Sequence, residues 1–224
     1  PFKPILGCEM YVARNGSRTL RQEKSDKSGY HLIVLAKNQT GYHNLVKLVS
    51  HSWIDGFYMR PRTDREDLEK YHEGLIVCSA CLGGEVPHKI LNDDIAGARE
   101  AIEWYHRVFG EDYYIELQRH RVDDPNLRAN RETYPLQVKS NEVMIELAKE
   151  YGIKLVCTND CHFVNKDNAE AHDHLLCMST GKDLDDPTRM LYTKQEWFKT
   201  QEEMNEVFGD IPEALSLSLI HISE

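Results

Sequence analysis

Short apolar runs typical of β-strands alternate with helical patterns along most of the chain, and this alternation is what most restricts the fold. The runs cover residues 5–12, 31–36, 75–79, 113–117 and 153–158. They are rich in β-branched and aromatic residues, as buried strands are. Apolar residues at steps of three and four predict helices over residues 41–54, 94–108 and 136–151. The alternation predicts an α/β fold with a largely parallel sheet or barrel.

The pattern changes after residue 165, where the sequence predicts helices and turns but no further strand. A helix is predicted over residues 168–180, and Thr200 with Glu203 forms a capping box that predicts the start of another. We therefore expect one domain over residues 1–165 and an appended helical segment over residues 166–215. Residues 216–224 break the helical pattern that begins at Pro212 and resemble a translated sequencing adapter, so we interpret them as a non-native tail.

Composition and charge narrow the class of protein. The 224 residues carry a net charge of −10. No apolar run approaches the roughly 20 residues that a membrane span needs, and we expect no membrane partner. An acidic surface argues against broad contact with a nucleic-acid backbone, although Arg60-Pro61-Arg62 leaves room for a local basic contact. Six cysteines in a chain long enough to form a core without disulfides predict reduced thiols and a cytoplasmic protein.

Asp160 and His162 stand at the end of the last predicted strand. Residues two apart in a strand face the same side, so both side chains can reach one ion. Imidazole suits zinc and similar metals, and carboxylate also suits manganese and magnesium, so the pair is compatible with a hydrolytic metal centre. The alternative is that Asp160 caps the following helix and His162 is an ordinary surface residue.

Three further residues at strand edges carry side chains that bind metals. Glu9 lies inside an apolar run, where burial without a partner is costly and a metal would be a partner. The alternative for Glu9 is an edge-strand residue that points to water. His31 opens its run, so by itself it is more typical of the surface. Cys81 closes a C-x-x-C with Cys78, a weak signal for zinc or redox chemistry, and by itself is more typical of a buried apolar residue.

The remaining histidines have no companion ligand in the sequence. His172 and His174 diverge by roughly 200° on a helix, so they cannot easily share an ion. The others are interpreted as solvated or structural residues: His43, His51, His72, His88, His106 and His120. The sequence contains no Gly-rich phosphate loop, no nucleophile elbow and no H-E-x-x-H zinc motif.

Four motifs taken together resemble one family. They are the stretches from Lys3 to Glu9, from His31 to Tyr42, from Gly74 to Glu85, and from Thr158 to Phe163. In order and spacing they resemble the PHP (polymerase and histidinol phosphatase) domain, in particular that of bacterial replicative DNA polymerase III α subunits. Residues 180–190 and 202–214 resemble the link between such a domain and the polymerase palm.

The resemblance implies a distorted (β/α)7-type barrel with a cluster of zinc, manganese or iron ions at one end. By motif match the metal ligands are Glu9, His31, Cys81, Asp160 and His162. The family's first H-x-H motif and its next Asp and His ligands would precede Pro1, so an N-terminally truncated barrel with part of its ligands is expected. The palm carboxylates that bind magnesium for nucleotide transfer would follow the chain, so the chain alone is not expected to polymerise DNA.

Two roles for the intact domain follow from the resemblance. One is a metal-dependent 3′–5′ exonuclease that proofreads, and the other is a scaffold that stabilises the polymerase and docks a proofreading exonuclease subunit. The whole protein would be a DNA-directed DNA polymerase. Its partners would be DNA, deoxynucleoside triphosphates, the exonuclease subunit, the sliding clamp and other replisome subunits. The alternative is a stand-alone phosphoesterase that acts on a phosphate monoester.

Overall fold

Strands and helices alternate in the computed structural model, which describes residues 4–122, 124 and 126–223. The strands are β1 (Gly7–Ala13), β2 (Gly29–Ala36), β3 (Arg62–Thr63), β4 (Leu75–Cys78), β5 (Tyr113–Leu117) and β6 (Lys154–Cys157). The helices are α1 (Gln39–Ile54), α2 (Arg65–Lys70), α3 (Glu85–Leu91), α4 (Ile95–Phe109), α5 (Arg128–Glu132), α6 (Tyr134–Tyr151), α7 (Ala169–Thr180), α8 (Gln201–Phe208) and α9 (Pro212–Ser223). The α/β class is confirmed. Lys3 of the first motif and Glu224 of the tail lie outside the described residues.

The sheet is mixed, and its strands form an open row in the order β3-β1-β2-β4-β5-β6. β2 is antiparallel to both β1 and β4, whereas the pairs β1–β3 and β4–β5 are parallel. The expectation of a largely parallel sheet is therefore wrong around β2. Residues 14–28, all of them described, join β1 to β2 without an α-helix, and a connection without a helical crossover favours antiparallel pairing. The mixed arrangement is consistent with a barrel-type PHP-like fold, although the row does not close in the described part of the chain.

The chain divides into two compact units. The first contains the residues up to Glu116 together with Val143–Lys154. The second contains Leu117–Glu142 and the residues from Leu155 onward. None of the helices in the described ranges combines the length and the apolarity that crossing a bilayer requires.

The core of the first unit lies between the sheet and the helices α1 and α4. Val34 of β2 and Val77 of β4 are fully buried, as are Leu48 of α1 and Ile102 of α4. Burial of each such side chain stabilises the fold by roughly 1.5–3 kcal/mol. These residues belong to the apolar runs and helical patterns of the sequence, and the five predicted strands end within two residues of the observed bounds.

Four short elements were not predicted: β3, α2, α3 and α5. They contain between two and seven residues, which is too few for a period of 2 or 3.6 to be recognised. The start of α2 is fixed by Asp64, whose side chain accepts a hydrogen bond from the Asp67 amide. α3 begins directly after Gly84, so no further loop separates this helix from the turn that contains Cys81.

In the second unit the capping box of α8 is confirmed. The Thr200 hydroxyl accepts a hydrogen bond from the Glu203 amide, and the Glu203 carboxylate accepts one from the Thr200 amide. The expectation that the helical pattern breaks at residue 216 is wrong, because α9 runs from Pro212 to Ser223. The leucine, isoleucine and serine residues there cost at most about 0.7 kcal/mol each in a helix. The boundaries at residues 165 and 215 and the non-native origin of the tail stay predictions.

Candidate metal centre

The register of the antiparallel pair β1–β2 places His31 and Glu9 on one face of the sheet. Tyr11 lies directly opposite His31, and Glu9 lies opposite Ile33. Opposite residues and residues two apart on one strand point to the same face, so Glu9 and His31 are diagonal neighbours. The Tyr11 ring meets the His31 ring edge-on, with the ring centroids 5.1 Å apart. His31 thus lies beside Glu9 although it is near the start of its strand.

Cys81 reaches the same place through a tight turn that follows β4. Ala80, which precedes it, has a φ of 62°, in the left-handed region. The Gly84 amide donates to the Cys81 carbonyl at 2.8 Å, and the His31 amide donates to the Gly83 carbonyl at 2.9 Å. A β-carbon at Gly83 would lie 3.1 Å from the His31 ring, so glycine allows this close approach of the turn.

Glu9, His31 and Cys81 bring three ligand atoms of different kinds together, and we call these residues the triad. The His31 Nδ1 atom lies 2.7 Å from Glu9 Oε1 and 3.4 Å from Cys81 Sγ. One ligand atom from each residue lies within 4.8 Å of the other two. Zinc bonds to nitrogen and oxygen are about 2.0–2.2 Å long and those to sulfur about 2.3 Å, so atoms at these separations can converge on one ion. The imidazole and thiolate donors fit a divalent ion such as zinc.

The triad favours a positive charge at His31. Hydrogen bonds to Cys81 and to Glu9 raise the pKa of His31 to about 10. The ordinary value is near 6.5, and partial burial opposes the rise because it disfavours the charged imidazole. A divalent cation would find the same negative surroundings, and it would have to displace the proton in order to bind Nδ1.

The triad lies at the surface rather than in the core. The side chain of Glu9 is 47% exposed and that of His31 is 31% exposed. A small cavity of about 70 Å³ lies beside Glu9 and is lined also by Tyr11 and Trp53. The cavity is large enough for water, and Glu9 lines it whereas His31 and Cys81 do not.

Asp160 and His162 also lie together, in the second unit. β6 ends at Cys157, so both residues follow the strand and its alternation does not orient them. Asp160 instead has a φ of 44°, and His162 Nε2 lies 3.5 Å from Asp160 Oδ1. The two side chains are neighbours for a different reason from the one expected. The alternative role of Asp160 as a helix cap does not hold, because Asn168 precedes α7.

Aromatic side chains surround His162. The ring centroids of Tyr192 and His172 lie 4.4 Å and 5.6 Å from that of His162, and the His162 amide donates to the Glu196 carbonyl at 2.8 Å. Partial burial and the charge of His162 lower the pKa of His172. From the sequence alone His172 is not a candidate ligand, because it cannot easily share an ion with His174. In space His172 is a neighbour of His162, which lies ten residues earlier in the sequence and outside α7. No helical or strand period therefore indicates this contact.

A family model described as the PHP domain matches residues 2–120. The match covers more than half of the chain and contains all three residues of the triad. The chain belongs to the PHP domain family. The resemblance that the sequence motifs indicated is thereby confirmed, while Asp160 and His162 lie beyond the matched residues.

Three relatives of this PHP chain share the name DNA polymerase III subunit alpha. The protein from Borreliella burgdorferi is 43% identical over 224 residues, which is 100% of this chain. The protein from Thermus aquaticus is 41% identical over 95% of the chain, and that from Campylobacter jejuni is 38% identical over 96%. The chain spans only 16–18% of the length of these three relatives.

The two arginines of the predicted basic cluster differ in the PHP domain. Arg60 is exposed, but Arg62 is fully buried. The Arg62 Nε atom donates to the Gly56 carbonyl at 3.1 Å, and its Nη2 atom donates to the carbonyls of Arg18 and Leu20 at 2.6 and 2.9 Å. The two arginines therefore do not form one basic surface, because Arg62 is buried and donates hydrogen bonds to backbone carbonyl groups.

Cys78 does not accompany Cys81 in the triad. Cys78 is the last residue of β4 and is buried, and desolvation raises the pKa of its thiol well above the ordinary range. A neutral, buried thiol is a poor metal ligand because the thiolate is the binding form. Of the two cysteines in the C-x-x-C, the PHP domain therefore presents only Cys81 to Glu9 and His31.

His120 is a buried neutral histidine, which agrees with the structural interpretation. Gln137 Nε2 donates to His120 Nδ1 at 2.9 Å, and His120 Nε2 donates to the Asn159 carbonyl at 3.1 Å. Burial lowers the pKa of His120, against the opposing influence of the Glu196 carboxylate. The ring thus supports Asn159, the residue directly before Asp160.

Proposed function

We propose that the chain is the PHP region of a bacterial DNA polymerase III α subunit. Proteins of that name match 95% or more of the chain at 38–43% identity. The complete gene product would be a cytoplasmic DNA-directed DNA polymerase that uses deoxynucleoside triphosphates. Its partners would be DNA, a proofreading exonuclease subunit, the sliding clamp and other replisome subunits. A stand-alone phosphoesterase is not favoured by the names of the relatives.

Within this protein, we infer that the triad of the first unit holds a divalent ion of zinc, manganese or iron, and that Asp160 and His162 of the second unit also act as metal ligands. The observation that carries the inference is the convergence of a carboxylate oxygen, an imidazole nitrogen and a sulfur within 4.8 Å. Cys81 would hold the ion as the thiolate, and His31 would hold it through Nδ1 after losing its proton. When bound, such an ion supplies Lewis acidity for phosphodiester hydrolysis.

The exposure of the triad favours a 3′–5′ exonuclease over a purely structural site. Structural zinc sites are usually closed by four protein ligands, whereas catalytic sites keep one position open. Glu9 is half-exposed and His31 is about one-third exposed, so the triad has a side that is open to solvent. The scissile phosphate at a DNA 3′ terminus would approach from this open side.

The test is manganese-dependent release of the 3′-terminal nucleotide from labelled DNA by the complete gene product, purified without other subunits. Glu9→Gln and Asp160→Asn keep the size of the side chain but remove its charge, and we expect each to lower the rate at least about tenfold. Glu111→Gln is the matched control, because Glu111 is 80% exposed and is not part of the triad. Equal rates in the wild-type protein and both site variants would exclude the exonuclease role.

A structural role is the second candidate, and the origin of the ligands favours it. Glu9 lies on β1, His31 on β2 and Cys81 after β4, so one ion would tie three separate segments together. In this case a chelator lowers the melting temperature of the wild-type protein but not of Cys81→Ser, and no nuclease activity is found. A wild-type melting temperature that is unchanged by the chelator would exclude the structural role.

A further inference from the structure

The turn that carries Cys81 is built on a strained residue. Ala80 has a φ of 62°, which alanine adopts only at a cost in free energy and glycine adopts freely. Ala80 is also buried, so its backbone groups are not supported by solvent. Strain of this kind persists where the surrounding structure holds the residue in place. The contacts that hold Ala80 therefore help to determine where Cys81 lies.

Glu116 on β5 makes such a contact, within the same unit. Its Oε2 atom accepts a hydrogen bond from the Ala80 amide at 3.1 Å. Its own amide donates to the Ser79 hydroxyl at 2.9 Å, and the Ser79 amide donates to the Tyr114 carbonyl at 3.1 Å. Three hydrogen bonds thus fasten residues 79 and 80 to β5.

A carboxyl group is an unusual choice for the position of Glu116. The side chain is only 4% exposed, and its neighbours along β5, Ile115 and Leu117, are fully buried apolar residues. Burial of a carboxyl group is unfavourable unless it is hydrogen-bonded. An apolar residue at position 116 would avoid this cost but would leave the buried Ala80 amide without the acceptor it has now.

We propose that Glu116 is a positioning residue for metal binding. By accepting from the Ala80 amide it holds the strained turn that places Cys81 Sγ 3.4 Å from His31 Nδ1. The inference rests on the proposed metal centre and adds the residue that keeps one of its ligands in place. Loss of such a supporting hydrogen bond typically lowers metal affinity 10- to 100-fold.

The test is titration of the complete gene product with Co²⁺, whose sulfur-to-metal absorption band reports binding by Cys81. Glu116→Ala removes the acceptor and is expected to weaken the affinity about 10- to 100-fold. Glu116→Gln keeps an acceptor oxygen and is expected to weaken it less. Ala80→Gly removes the strain, so it is expected to restore most of the affinity when added to Glu116→Ala. A merely structural loss at Glu116 would not be rescued by a glycine at position 80.

Hydrogen–deuterium exchange of the metal-free protein gives a second readout, and we expect faster exchange over residues 79–82 in Glu116→Ala. A folded Glu116→Ala protein with wild-type cobalt affinity, or one that Ala80→Gly does not rescue, overturns the positioning role. If Glu116→Ala does not fold, Glu116→Met takes its place, because methionine is closer in size and also lacks the carboxylate acceptor, and wild-type cobalt affinity in that variant overturns the positioning role. A wild-type cobalt band that survives in Cys81→Ser overturns the metal centre itself, and so the two failures are distinguishable.

Discussion

The Nδ1 atom of His31 lies 2.7 Å from a carboxylate oxygen of Glu9, across the antiparallel pair β1–β2. The same nitrogen is 3.4 Å from the sulfur of Cys81. His31 therefore sits between two groups that favour a cation, and both of them raise its pKa to about 10. The proton on this nitrogen and a metal ion compete for the same position.

The first prediction follows from this competition. Below about pH 10 the metal must displace the His31 proton, so the apparent affinity for Zn²⁺ should rise by at least about tenfold per pH unit between roughly pH 7 and 9. Affinities measured in chelator-buffered zinc solutions check this. Glu9→Gln removes one cause of the raised pKa and should make the dependence level off at lower pH. An affinity that does not change with pH in the wild-type protein would contradict the assignment.

The raised pKa of His31 also makes the stability of the metal-free protein depend on pH. The pKa of His31 is higher in the folded state than the ordinary value near 6.5. Its contribution to stability is therefore complete below about pH 6.5 and is lost as the pH rises through about 10. The His31 ring signals in an NMR titration of chelator-treated protein should change near pH 10, and a change near pH 6.5 would show that the triad does not hold the proton.

The second prediction concerns His120, whose pKa is lowered by burial. The nearby carboxylates of Glu196 and Asp160 favour the charged ring, whereas burial and the charge of Lys199 oppose it. Below about pH 6.5 His120 takes up a proton in the unfolded chain more readily than in the folded chain. The contribution of the neutral His120 to stability is therefore fully present above about pH 6.5 and decreases as the pH falls below it. A tenfold decrease in the proton affinity of His120 on folding corresponds to a loss of about 1.4 kcal/mol of stability at acidic pH.

Urea unfolding at about pH 5.5 and 7.5 checks the role of His120. His120→Gln should reduce the loss of stability between the two pH values, since glutamine does not titrate. His174→Gln is the control, because His174 is exposed and should leave the loss unchanged. If both variants lose as much stability as the wild type, His120 is not responsible for the acid sensitivity.

The third prediction compares two arginines that are two residues apart. Arg62→Met leaves the carbonyl groups of Gly56, Arg18 and Leu20 without their donor, and it should destabilise the first unit by on the order of 3 kcal/mol. Arg60→Met, at an exposed position, should change stability by less than about 0.5 kcal/mol. The measurement is the free energy of unfolding in urea. Similar values for the two variants would show that the buried hydrogen bonds of Arg62 contribute little.

The elements with a clear period could be predicted from the sequence. β5 is a largely apolar run, interrupted only by Glu116 and bounded by acidic and polar residues, and its predicted and observed bounds agree. β3 could not be predicted, because its two residues are Arg62 and Thr63 and show no alternation. The antiparallel direction of β2 was missed because the sequence was interpreted as a regular alternation of strands and helices, although the segment between β1 and β2 contains no α-helix. The register of this pair, which is set only in the folded protein, brings His31 beside Glu9.

The candidate site was predictable in its residue types but not in its geometry. Strand alternation predicts that Asp160 and His162 meet, but they lie after the end of β6, where Asp160 has a positive φ. A positive φ at a residue other than glycine goes against local preference, so the sequence does not reveal it. Ala80 is the same case, and its support by Glu116 became visible only when β4 and β5 were seen side by side.

The central claim, that the triad binds a metal ion, is tested most directly by a Co²⁺ titration of the complete gene product and two cysteine variants. The wild-type protein and Cys78→Ser should show the sulfur-to-metal absorption band, because the Cys78 thiol is buried and lies outside the triad. Cys81→Ser should lose the band. A band that is absent from the wild type, or that persists in Cys81→Ser, would contradict the account.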